Sequence, residues 1–191
     1  AAGSIFTGSV HEPIKGTKNP QKMLQTGIPF TKKPVALQFD YKVKMSDREN
    51  RIRATGFSKI TDVPGKDYPA AILLLQKRWE DANGNVYAKR IGTMVTYYYH
   101  STDWKNNVTY EIMYGDITNR PEYKAHMMRL QATESYTVNS KGESVPIHEV
   151  AWGDENDVPT HMYIQFTSSH GGAYIGSPGN TLWVDNVKLV Y

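Results

Sequence analysis

The sequence predicts an all-β protein, a single antiparallel β-sandwich with jelly-roll topology spanning residues 1–191. Three observations lead there. Apolar and polar residues alternate with a period of two in several segments, the pattern of a strand with one dry and one wet face. The chain carries 13 Tyr, 4 Trp and 5 Phe, and aromatic residues favour pleated surfaces. Loops rich in proline and glycine separate the strand-like runs at fairly regular intervals.

Taken in order, SIFTGSV (4–10) reads as the first strand and 11–21, with two prolines, as a loop. VALQFDYKVKM (35–45) is the cleanest strand. Val35, Leu37, Phe39, Tyr41 and Val43 share one face, and Gln38, Asp40, Lys42 and Lys44 the other. Residues 51–69 are mixed and loop-rich. AAILLLQKRW (70–79) is a continuous apolar run, and Asn83-Gly84 is a strong turn pair, so 70–91 reads as a hairpin. GTMVTYYYH (92–100) and NVTYEIMYG (107–115) are further strands, joined by a polar connection that holds Trp104. PEYKAHMMR (121–129) has a helical look, one or two turns long, and 129–135 either extends it or begins another strand. In THMYIQFTSS (160–169), Met162, Ile164 and Phe166 oppose His161, Tyr163, Gln165 and Thr167. A glycine-rich loop (171–180) leads to the closing strand, 181–191.

Composition narrows the function. A net charge of +3 without a compact basic run gives no reason to expect a nucleic-acid partner. With no cysteine, disulfides, thiol catalysis and cysteine-based zinc sites are excluded. No apolar run reaches the roughly 20 residues of a membrane span. The six histidines lack zinc-enzyme spacing, and no serine nucleophile elbow is present. The glycine loop lacks the lysine and following helix of a phosphate loop.

Three segments carry a family resemblance: the opening AAGSIFTG, the run GIPFTKKPVALQFDYKVK, and the C-terminal YIQFTSSHGGAYIGSPGNTLWVDNVKLVY. Together they resemble the PCMD family, the putative carbohydrate metabolism domain of bacterial outer-surface proteins. The resemblance implies a jelly roll similar to carbohydrate-binding modules, with a glycan pocket on a concave sheet. It also implies export to the outer-membrane surface or periplasm, often with a lipid anchor, as the C-terminal part of a longer protein in which an immunoglobulin-like domain precedes this one. It brings no catalytic pair with it.

Sugar recognition needs a flat ring against the apolar face of a pyranose and polar groups for its hydroxyls. Trp79, at a strand end, and Trp104 are the candidate platforms; Trp152 is weaker, and Trp183 reads as a core residue. Asp40, Lys42, Glu111, Gln165 and Ser169 are the candidate polar partners. Hydrolysis would need two carboxylates flanking the bond, and Asp40 with Glu111 is the pair available to it. No cofactor is expected, although Asp185 or the loop carboxylates Asp154, Glu155 and Asp157 could hold a structural calcium. The expected function is therefore non-catalytic glycan binding. The alternatives are a glycoside hydrolase using the same pocket, or a structural or adhesive module without sugar affinity.

Overall fold

The computed structural model describes residues 3–11, 18–56, 58–127, 129–130 and 135–191. Parts of four expected segments therefore lie outside the described residues: 1–2 of the opening, 12–17 of the first loop, 57 of the loop-rich stretch, and 128 and 131–134 of the helical stretch and its continuation. The first strands are β1 (Ser4–Phe6), β2 (Gly8–Val10), β3 (Leu24–Thr26), β4 (Ile28–Pro29) and β5 (Ala36–Lys44). Then come β6 (Arg51–Arg53), β7 (Thr61–Val63), β8 (Ala70–Glu80), β9 (Val86–Tyr97), β10 (Thr102–Glu111) and β11 (Met113–Tyr114). The last are β12 (Tyr136–Val138), β13 (Ser144–Trp152), β14 (His161–Thr167), β15 (Ile175–Gly176) and β16 (Thr181–Val190).

The fold is all-β with curled sheets, two of which enclose the core, while β15-β6-β7 and β2-β3 form two smaller ones. The large sheet has eight strands, ordered β1-β14-β8-β9-β13-β12 with β4 and β11 paired at its sides. The small sheet has three, ordered β10-β5-β16. Their inner faces meet in one core: Leu37, Phe39 and Val43 of β5 pack with Leu73, Leu75, Ile91, Met162, Ile164 and Phe166 of the large sheet. Phe39 sits at its centre, edge-to-face with Phe166 at 4.9 Å and stacked on Tyr110 at 5.2 Å. Each such side chain contributes roughly 1.5–3 kcal/mol by leaving water. The alternation read at 35–45 and 160–169 thus produces the packing that joins the sheets.

Four expectations change. The first strand breaks in two: β1 pairs with β14 while β2 pairs with β3. Gly8 makes the break, at φ +146, with the Gln25 carbonyl oxygen only 2.0 Å from where a Cβ would lie, so no side chain fits. The 70–91 hairpin forms, but its turn is the longer Asp81–Asn85 loop. The Asp81 carboxylate accepts from the N–H groups of Asn83 and Asn85 at 2.9 Å each, and Gly84 takes φ +92. The helical look at 121–129 gives separate turns instead, with Tyr123 N–H bonded to Arg120 O and Met127 N–H to Lys124 O. Met127 lies against Ile72, Leu74 and Val95, so this stretch drapes over the large sheet rather than packing as a cylinder. Finally, the large sheet is not wholly antiparallel, because β13 runs parallel to β9. Among the described residues, no helix is long and apolar enough to cross a membrane.

Candidate functional site

The outer face of the small sheet brings the most predicted residues together. Side chains on β5 alternate, so Asp40, Lys42 and Lys44 point away from the core that holds Phe39 and Val43. The register sets Trp183 opposite Lys42, Asp185 opposite Asp40, and Thr181 opposite Lys44. The Lys42 ammonium lies 5.7 Å from the centre of the Trp183 ring, a cation–π contact. Beside them runs a groove of about 410 Å³, lined by Lys42, Lys44, Ser101, Thr102, Asp103 and Trp183. Ser101 and Thr102 accept the backbone N–H groups of Met45 and Val43, at 2.9 and 3.2 Å, and each keeps its own O–H to donate.

Trp183 was expected in the core and is instead 40% exposed. Its strand phase holds Asp185, and that carboxylate is the signal in the sequence that this phase is wet. Trp104 lies not in a connection but within the edge strand β10, 47% exposed. Of the groove residues, Lys42 is a predicted site residue, and Lys44, Ser101, Thr102, Asp103 and Trp183 are those that sequence reasoning missed.

Asp40 does a different job from the one expected. Both flanking strands shift register beside it, at Asn107 in β10 and Asn186 in β16, and each asparagine takes φ 52. The Asp40 carboxylate ties down both irregularities, accepting from Asn107 N–H at 2.5 Å and from Asn186 Nδ2 at 2.7 Å. The Asn107 bond first, then that of Asn186, holds its carboxyl below the ordinary range. Glu111 is exposed on the same face, but its register partner is Ala36. Asp40 is four residues further along β5, about 13 Å away at strand rise. Carboxylate pairs of glycosidases stand roughly 5–9.5 Å apart. Asp185, directly across from Asp40, is nearer, but both Asp40 oxygens are already engaged.

The remaining predicted residues lie elsewhere. Trp79, near the end of β8, is 42% exposed and stacks on Tyr87 at 5.8 Å. Gln165 lies on the outer face of the large sheet between its register partners Phe6 and Ile72. Ser169 is buried and donates to Ile175 O at 3.1 Å, beside a second groove of about 270 Å³. It belongs to a hub around Asp67, which is 2% exposed. Burial pushes the Asp67 carboxyl up, but bonds from His170, Ser169 and the Ser177 N–H outweigh that and hold it below the usual range. Around the hub, Tyr97 packs on His126 and His170 at 4.7 Å each, and Tyr68 on Tyr99 at 4.7 Å. These rings spend their faces on one another, and burial lowers the His126 pKa.

Two of the three loop carboxylates are also engaged in the fold. Asp154 accepts from Asn156 N–H at 2.8 Å, and Asp157 pairs with Lys77 at 2.8 Å. Among the described residues, no group of three or more His, Asp or Glu side chains converges as a metal site.

Residues 1–190 match a single family, described as the putative carbohydrate metabolism domain. The chain belongs to that family. The putative carbohydrate metabolism domain has solved structural neighbours. One is a putative glycoside hydrolase from Bacteroides thetaiotaomicron VPI-5482, with a TM-score of 0.55 and 20% identity, covering 100% of this chain and 47% of that one. Another is a putative glycoside hydrolase from Bacteroides vulgatus ATCC 8482, with a TM-score of 0.50 and 15% identity, covering 100% of this chain and 64% of that one. At these identities the likeness is one of fold, and this domain spans about half the length of the first neighbour (47%). No functionally curated protein matches the sequence.

Proposed function

We propose that this domain binds glycans without hydrolysing them, on the outer face of the small sheet. One observation carries the reading: Trp183, a flat ring 40% exposed, stands beside a groove lined by Lys42, Ser101, Thr102 and Asp103. An indole covers the C–H face of a pyranose, and the hydroxyl, carboxylate and ammonium groups around it match sugar hydroxyls in both donor and acceptor sense. Membership of a carbohydrate-related family supports the ligand class. The proposal includes jelly-roll topology similar to carbohydrate-binding modules. It also includes display outside the cytoplasm, at the outer-membrane surface or in the periplasm, after an immunoglobulin-like domain.

Hydrolysis is the second reading, favoured by the cross-strand pair Asp40 and Asp185. Against it, Asp40 is nearly buried and serves as the acceptor for two strand irregularities. A soluble glycan panel separates the readings. Binding by calorimetry with no new reducing ends supports recognition alone, and reducing ends that disappear in Asp185→Asn support hydrolysis. No binding to any glycan returns the domain to a structural or adhesive role.

A further inference from the structure

The charges around Trp183 are unevenly arranged along the sheet. In register order, the first row pairs Lys44 with Thr181, the next Lys42 with Trp183, the next Asp40 with Asp185, and the next Gln38 with Lys188. Lys42 and Lys44 are two residues apart on one face, about 7 Å at strand rise. Both line the groove. Among the described residues, no carboxylate lies within ion-pairing distance of either. Lysines rooted this close on one face, beside an exposed ring and without carboxylate partners, concentrate positive charge that an anion would offset. Asp103 contributes one carboxylate to the lining, and the Asp40–Asp185 row makes the neighbouring stretch acidic.

We infer that the groove selects glycans bearing an acidic group, a uronate carboxylate or a sulfate ester, with the pyranose on Trp183 and its anion between Lys42 and Lys44. This rests on the glycan-binding reading above. The acidic row then sets polarity: the anionic group lies toward Lys44 and a neutral part of the chain toward Asp185. The same row disfavours a continuous phosphate backbone, which would carry charge across Asp40 and Asp185 as well as across the lysines. Ser101 and Thr102 donate to ring hydroxyls or to the anion, and Asp103 accepts from hydroxyls at the rim.

Matched polymers test this. Polygalacturonate and its fully methyl-esterified form share a backbone and differ in charge; dextran sulfate and dextran do the same for sulfate. The free acid should bind about tenfold more tightly than the ester at low salt, with the difference shrinking as salt is raised. Lys42→Gln/Lys44→Gln should lose that preference and keep the weak binding of the ester. Asp185→Asn should tighten the acidic ligand. A preference in the dextran pair alone would assign sulfate as the anion, and in the galacturonan pair alone a carboxylate. Equal binding of charged and uncharged partners in both pairs overturns the inference while leaving glycan binding intact. Polyanion binding that survives Trp183→Ala overturns it too, because it is then non-specific attraction to a basic protein. Binding to none of the four polymers removes the glycan-binding reading itself.

Discussion

On the outer face of the large sheet, Arg90 and Glu149 are paired and sealed: their side chains are 1% and 8% exposed. On the outer face of the small sheet, Lys42 and Lys44 stand in a groove beside an exposed tryptophan with no ion-pair partner among the described residues. Both faces carry cations next to an indole. Trp152 covers Arg90 at 5.5 Å, and Trp183 meets Lys42 at 5.7 Å. What separates them is satisfaction. Glu149 accepts from Arg90 Nε at 2.5 Å and from Gln76 Nε2 at 2.7 Å. Gln76 in turn accepts from Arg78 Nε at 2.8 Å, and Arg78 Nη1 reaches the Thr26 carbonyl at 2.8 Å. That network fastens β3 and β13 onto the central strands and leaves little for a ligand to add. Charge without an ion-pair partner, rooted on a sheet beside an open ring, is what recognition requires, and the small sheet offers it at Lys42 and Trp183.

Breaking the sealed network should have the largest effect. Glu149→Ala leaves the Arg90 guanidinium without its main partner in a dry site, and should cost about 3–5 kcal/mol in urea unfolding. A loss under 1 kcal/mol would mean that water reaches the site. His161, beside this network, gives a medium effect through pH. Burial first, and then the charge of Arg78, lowers its pKa from 6.5 to about 4. The unfolded chain therefore takes up this proton earlier than the folded one. The His161 contribution is complete above about pH 6.5 and declines as pH falls toward 4. The decline should be on the order of 1–2 kcal/mol after allowance for solvent screening. In His161→Gln this part of the slope should vanish from unfolding curves taken at pH 7, 5.5 and 4. The smallest stability effect belongs to the open face. Trp183→Ala should change unfolding free energy by about 1 kcal/mol or less while abolishing glycan binding. A large destabilisation would mark Trp183 as a packing residue instead.

The same contrast explains what the sequence made legible. At 35–45 and 160–169 one face packs into the core that joins the sheets, so alternation identified the strands and most of their core residues. The other face of 160–169, expected to be wet, is largely covered, with Tyr163 against Ile72, Leu74 and Val95 and Thr167 buried. β13 was missed because SVPIHEVAW carries Pro146 and His148, and because its Glu149, charged on paper, is a buried group whose partners arrive from β8 and β9. Asp40 looked like a wet-face acid because the need it meets, in Asn107 and Asn186, is set by register. The groove was hidden for the same reason. Lys42 and Trp183 are far apart along the chain and meet only because β16 pairs antiparallel with β5. Lys42 was readable from its strand phase, but Ser101, Thr102, Asp103 and Trp183 join it through pairing that the sequence does not display.

The most direct test is a saccharide titration followed by the indole N–H signals of the tryptophans in a two-dimensional proton–nitrogen spectrum. If the groove holds the sugar, the Trp183 signal shifts saturably while the Trp152 signal over Arg90 stays unmoved. A stationary Trp183 signal while the protein binds sugar would contradict it.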